Sequence, residues 1–375
     1  MQRIFEDSYL SGLAYETPFF LFSKKVLVET HARFQKAFPK ALVAYAIKAN
    51  PEEHVLQTFA EAGASFEVAS VYELDMIKAF GVKADRIIYG TSVKPAAHIR
   101  VFADYGVDRF AFDSMGELEK IAAAAPGARV YARAIVSDAG SVFKLSEKFG
   151  AEVPAIPSLL SRARDLGLVP WGISFHVGSQ ALNPLAWAEA IESIAPVVHQ
   201  LHEQGIKIEV LNIGGGFPHP YPSSIEIVNI EEIAGSVHAA LKKLPHALQI
   251  IAEPGRALVA GAAVLVVSVI AKVERSGKQW LFLDAGAYNA LFETMAFQGS
   301  TRYPVTLLRP SYNAGEAEFT LTGPTGDSID TITKEARLPA DVDVGDKLVF
   351  HDVGAYSSCL ASFFNGFPKP SIYIA

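Results

Sequence analysis

The sequence predicts an α/β protein: a (β/α)8 barrel of the TIM type, followed by a second, C-terminal all-β barrel domain. Two observations carry this. From about residue 41 to 256 a short apolar run, a polar loop and a helical period recur eight times. After Arg256 strand-like runs follow one another with no long helix between them. A third observation points to function: charged residues gather at the ends of the apolar runs.

The strands of the first domain are predicted at Ala41–Ile47, Ser65–Val68, Arg86–Tyr89, Arg109–Phe112, Arg129–Ala134, Trp171–His176, Glu209–Ile213 and Leu248–Ala252. Between them, apolar residues at three- and four-residue spacing predict helices over Glu52–Ala62, Val71–Phe80, Gly116–Ala125, Ser158–Asp165, Pro184–Glu203 and Ile230–Leu244. An open doubly wound sheet shares this alternation, but eight units is the number that closes a barrel. In the second domain the strand-like runs are Val264–Val273, Trp280–Asp284, Pro304–Leu308, Glu318–Thr322, Lys347–Asp352 and Ser371–Ile374. Phe19–Phe22 is also strand-like and suits either domain. The division adopted is 23–257 for the barrel, with 1–22 and 258–375 forming the β-domain.

Composition narrows the function classes. The chain has 375 residues and a net charge of −7 with both signs interspersed, which argues against nucleic acid or an anionic membrane as partner. Cys359 is the one cysteine, so neither an intrachain disulfide nor a cysteine-based metal cluster is expected. No metal site is predicted. The N-terminus lacks an apolar signal-peptide core. The longest apolar stretch, Ala257–Ala271, is too short to span a membrane and reads as a buried strand. A cytoplasmic protein is expected.

In a TIM-type barrel the chemistry sits at the carboxyl ends of the strands. There the sequence places Lys48, Glu67, Arg133, His176, the run Gly214-Gly215-Gly216, and Glu253-Pro254-Gly255-Arg256. A lysine partly desolvated at a strand end is suited to Schiff-base chemistry, although many such lysines only extend their amine to solvent. Consecutive glycines let backbone N–H groups approach a phosphate, or simply make a flexible loop. Arg256 is placed to close over the same anion. Glu253 is placed to keep a pyridine nitrogen protonated; a structural salt bridge is the plain alternative. His176 fits either ring stacking or a structural role.

Together these residues resemble the fold-type III decarboxylases that use pyridoxal 5′-phosphate (PLP) on ornithine, lysine, diaminopimelate and, in one branch, arginine. Ala44–Asn50 resembles the family's Schiff-base lysine motif, Phe175–Ser179 its His-Val-Gly-Ser motif, Gly214–Gly216 its phosphate loop and Glu253–Arg256 its Glu-Pro-Gly-Arg motif. Arg133 with Lys144–Ala151, which includes Lys-Phe-Gly-Ala at Lys148, Gly323–Asp330, Gly354–Tyr356 and Phe364–Phe367 resemble further signatures, closest to the ornithine and lysine branch. The fold implied is that of the alanine racemases. The resemblance implies PLP on Lys48, flanked by Glu67 and His176, near Arg133. Ser179, the glycine run, Arg256 and Tyr356 would hold the phosphate, and Glu253 the ring nitrogen. It implies an amino-acid substrate, met by Asp327, Gln298 and Tyr356, and a role in polyamine biosynthesis. It further implies a head-to-tail homodimer with shared sites, bridged by Lys148 and Asp330.

Two departures stand out. Family members carry cysteine before the acid of the Gly323–Asp330 loop, where this chain has Gly326-Asp327, so the thiol that returns a proton to Cα is missing. Ser328 and Cys359 are alternative donors. Between Glu293 and Glu316 no acid remains to meet a distal ammonium, and Gln298 aligns there. Two other functions remain open: a racemase, which needs a second base, and a non-catalytic regulator of the antizyme-inhibitor kind. Such regulators lose cofactor contacts that are all present here.

Overall fold

The computed structural model describes residues 3–221, 228–296, 302–309 and 315–375. The chain divides into two compact units. One comprises Met1–Leu27, His219–Ile225 and Leu258–Ala375; the other comprises Val28–Pro218 and Glu226–Ala257.

The second of these is a closed barrel of parallel strands at Leu42–Ala46, Ser65–Val68, Ile87–Tyr89, Arg109–Phe112, Arg129–Arg133, Val169–Ser174, Val210–Asn212 and Gln249–Ala252. The eighth strand pairs with the first, Ile251 opposite Leu42 and Ala252 opposite Val43, so the sheet has no edge. That closure decides against the open sheet. A layer of Ala44, Ile88, Ala111, Tyr131, Trp171, Val210 and Ile251 fills the interior. Side chains alternate along a strand, so the residue two positions beyond each of these faces inward at the carboxyl mouth. Gly90, Arg133, Asn212 and Glu253 are such residues.

The helices match the six predicted within a few residues at each end. The helix Ala96–Tyr105 was not predicted, because it buries only Ile99 and Phe102 and has little apolar period to read. An antiparallel pair, Ser141–Phe143 with Ser179–Ala181, is also additional; at three residues each, these strands are too short to show a period. Among the described residues no helix is long and apolar enough to cross a membrane.

The other unit is mostly β. Its sheet runs Val305–Leu307, Lys347–His351, Ala263–Arg275, Lys278–Leu283, Glu316–Thr322, Thr331–Pro339 and curls into a nearly closed barrel. Phe19–Phe22 pairs antiparallel with Ala263–Val266 and parallel with Ser371–Ile374, which places this strand in the β-unit. Its core joins Phe19, Leu21, Val264, Val266 and Val349, with Tyr15 stacked on Tyr373 at 3.7 Å. One expectation needs correction, and one strand was not foreseen. Ala257–Ala271 is not one strand: Arg256–Val259 is helical, Ala260–Ala262 is a 3₁₀ turn, and the strand starts at Ala263. A continuous apolar run has no period to separate the two. Thr331–Pro339 is a strand that the sequence hid, because Lys334, Glu335 and Arg337 face solvent along it.

Candidate active site

The first barrel strand ends in the 3₁₀ turn Ile47–Ala49, which carries Lys48. Beneath it the Tyr45 hydroxyl donates to the Asn50 carbonyl (2.8 Å), and Asn50 Oδ1 accepts from the Glu52 N–H (3.0 Å), so the turn is held from both sides. Lys48 Nζ donates to Glu67 Oε2 at 2.9 Å. The lysine side chain is half exposed and the glutamate almost wholly buried, at 50% and 2%. Glu73 lies behind them, its carboxylate accepting from the Ala69 N–H at 2.7 Å. Burial, and then the charge of Glu67, push the Glu73 carboxyl up to about 7 despite that bond and Lys48.

The sixth and seventh strands lead into two interlocked loops. His176 Nδ1 accepts from the Gly178 N–H at 3.1 Å, which leaves the imidazole neutral with its proton on Nε2. Burial, with Arg133 and Lys48 nearby, pushes His176 down to about 3. The Arg133 guanidinium lies 5.3 Å from the Phe149 ring centre. Gly214 and Gly216 have φ of +65° and +92°, and a Cβ on either would lie 2.1 Å from Phe175 O or 2.2 Å from Gly178 O. The glycine run is therefore demanded by close backbone packing. Gly214 donates its N–H to Asn212 Oδ1 at 2.9 Å. The N–H groups of Gly215 and Gly216 have no acceptor among the described residues.

Glu253 closes the ring of groups. Its Oε1 accepts from Asn212 Nδ2 at 2.6 Å. Burial and then the charge of Glu67 push Glu253 up to about 7, against the opposing pull of Lys48. Tyr131, fully buried on the fifth strand, is pushed up by burial and by the same two acids. Lys48, Glu67, Arg133, His176 and Glu253 thus act on one another within one barrel mouth. Ser179 opens the strand of the small antiparallel pair and stands opposite Phe143. The Arg256 guanidinium is buried and lies 5.3 Å from the Phe143 ring.

Four residues of this site were not singled out from sequence: Asn212, Glu73, Tyr131 and Phe143. Asn212 had a legible signal, a polar residue within the apolar run Leu211–Ile213. Glu73 had the Ser70-x-x-Glu73 spacing of a helix start, and Ser70 Oγ does accept from the Glu73 N–H at 3.2 Å. Tyr131 and Phe143 carried no signal.

Comparison with known proteins gives this geometry a family. Residues 24–260 match the pyridoxal-dependent decarboxylase family, pyridoxal binding domain. The chain belongs to the pyridoxal-dependent decarboxylases. Antizyme inhibitor 2 of Xenopus laevis is 36% identical over 372 residues, covering 95% of this chain and 80% of that protein. The lysine/ornithine decarboxylase of Selenomonas ruminantium is 34% identical over 351 residues, covering 94% and 88%. The arginine decarboxylase of Paramecium bursaria Chlorella virus, bound to agmatine, superposes with a TM-score of 0.90 at 30% identity, covering 98% and 99%. The resemblance read from the motifs is borne out at the level of this decarboxylase family.

The remaining candidates lie in the β-unit. Asp327 Oδ2 accepts from the Tyr288 hydroxyl at 2.9 Å, and Tyr288 stacks on Phe364 at 4.3 Å. Asp327 is held below the usual carboxylate range by the Ile329 N–H and then by Tyr288. Asp330 is buried; its carboxylate accepts from the Ala287 N–H (2.7 Å) and from the Thr325 N–H (3.1 Å) and hydroxyl (2.7 Å). Its oxygens already organise their own loop. Tyr356 adopts a left-handed φ of +53°, uncommon for a tyrosine. Gln298 lies outside the described residues.

Proposed function

We propose that this chain is an active PLP-dependent decarboxylase of an L-amino acid, with Lys48 as its cofactor lysine. The observation that carries the reading is the convergence at one barrel mouth of an accessible amine, a neutral histidine and a buried acid. The residues suit the group chemically. Lys48 supplies the amine, Glu253 the acid for a pyridine nitrogen, and the Gly215 and Gly216 N–H groups with Arg256 the donors for a phosphate.

When bound, PLP supplies an electron sink for the pair left on Cα as CO2 departs. The chain's own residues do the rest. Asn212 fixes the Glu253 carboxyl so that it faces inward. A carboxyl raised to about 7 has a stronger hold on a proton than an ordinary glutamate, and a ring nitrogen placed against it would share that proton. His176, kept neutral, gives the ring a flat face without adding a cation beside Lys48. Ser179 and Tyr356 would complete the phosphate contacts, and Asp327, with Gln298, would meet the substrate in a dimer of shared sites.

The substrate is an amino acid of the ornithine and lysine kind, or one with a modified distal end. Without an acid between Glu293 and Glu316, a plain diamino acid loses a charged hydrogen bond, about 1.5–3 kcal/mol. Weak ornithine and lysine turnover is therefore expected against a better neutral, acylated or acidic analogue. CO2 release across such a panel tests this, and ornithine efficiency near or above about 10⁴ M⁻¹s⁻¹ would refute it.

The 36% identity with an antizyme inhibitor supports a second reading, a non-catalytic regulator. Borohydride trapping separates the two. PLP fixed on Lys48 supports the enzyme; no trapping at saturating PLP supports the regulator.

A further inference from the structure

Gly90 follows the third barrel strand, two residues beyond Ile88 of the interior layer, so its missing side chain would face the barrel mouth. Its φ lies outside the left-handed region, so the backbone makes no demand for glycine there. Space does. A Cβ at Gly90 would lie 2.5 Å from Glu67 Oε1, 2.7 Å from Glu67 Cγ and 2.9 Å from Glu67 Cδ. All three atoms belong to the side chain that meets Lys48 Nζ at 2.9 Å. Glu67 is itself almost wholly buried on the neighbouring strand, in register with Ile88, so it has little room to move aside.

We propose that Gly90 is a positioning residue: the space above its Cα is the seat that lets a glutamate at position 67, rather than a shorter acid, reach Lys48. The inference deepens the reading of Lys48 as the cofactor lysine and rests on that reading for its bearing on catalysis. The contact itself can be tested without it. A methyl at Gly90 forces the Glu67 carboxylate out of its seat and away from the amine. Aspartate at 67 vacates the space and leaves the amine short of a partner. The two changes together fit, because the methyl fills the space into which the shorter acid would otherwise fall back and holds its carboxylate toward Lys48.

The test is a double-variant cycle on the full chain stripped of cofactor. Lys48 is labelled with trinitrobenzenesulfonate and quantified by peptide mass mapping, with Lys78 and Lys83 as internal references. Gly90→Ala and Glu67→Asp should each raise Lys48 labelling about threefold to tenfold, the effect of weakening one charged hydrogen bond on a half-exposed group. The double variant should return within about twofold of the unaltered chain, with reference lysines constant throughout. Unaltered labelling in Gly90→Ala, or additive effects in the double variant, overturns the proposal. Should Gly90→Ala fail to fold, the double variant decides: rescue of folding and labelling supports the seat, and equal misfolding overturns it. Failure of borohydride to fix PLP on Lys48 of the unaltered chain would instead sink the cofactor reading, leaving the outcome of the cycle to judge Gly90 alone.

Discussion

Glycine means opposite things in two of the loops that carry candidate site residues. In the barrel, Gly214–Gly216 is locked: a Cβ at any of the three would lie within 2.8 Å of a neighbouring backbone oxygen. In the β-unit, Gly323 is packed against Asp330, but three residues on, Gly326 has nothing within 4 Å of where a Cβ would stand. The barrel loop has glycine because no side chain fits. Gly326 has room for one, so the absence of a thiol there is a difference in chemistry and not one of space. Departures from a family pattern carry functional information only where the backbone leaves the choice open.

Variants can break this contrast, and the largest effect belongs to the barrel. Lys48→Ala should abolish borohydride-trappable PLP and reduce CO2 release by orders of magnitude, because the amine that starts the chemistry is gone. Ordinary turnover with bound PLP would refute the site. Next comes Gly214→Ala, which combines a left-handed φ with a 2.1 Å approach to Phe175 O. It should cost several kcal/mol and lower soluble yield and PLP affinity together. A melting temperature equal to that of the unaltered chain would show that the two loops are not interlocked.

A smaller effect, with a sign, comes from Glu253. Its folded pKa is raised from 4.5 to about 7, so the folded state holds a proton that the unfolded chain has lost in that window. The associated stability is full below about pH 4.5 and declines as pH rises through about 7. In the cofactor-free chain, Glu253→Gln should therefore raise the melting temperature by a few degrees at pH 8, the gain shrinking toward pH 5. Scanning calorimetry at both pH values checks it; a gain that grows toward acid would mean the carboxyl is ionised and paired. The smallest stability effect is expected for Gly326→Cys, within about 0.5 kcal/mol, since the site is open. Its signature should be chemical: less pyridoxamine phosphate formed per turnover. A product ratio equal to that of the unaltered enzyme would mean that another donor, such as Ser328 or Cys359, already serves Cα.

Much of this architecture was legible because it follows from periods. Eight apolar runs at barrel spacing, with chemistry-bearing residues at their carboxyl ends, sufficed for the barrel and for Lys48, Glu67, Arg133, His176 and Glu253, since alternation along a strand is local. Signals of low amplitude were lost. The helix at Ala96–Tyr105 has two buried apolar residues, and Thr331–Pro339 shows three charged ones to solvent.

What the sequence determined by itself, then, was the order of elements and the residue types delivered to the barrel mouth. Tertiary structure alone decided that the sheet closes through Ile251 and Leu42, that Asn212 orients Glu253, and that Gly90 makes the seat for Glu67. Each of these depends on atoms from different strands meeting within a few ångströms. Such meetings are set by the register of pairing and by interior volume, and neither quantity is written in the spacing of residues along one strand.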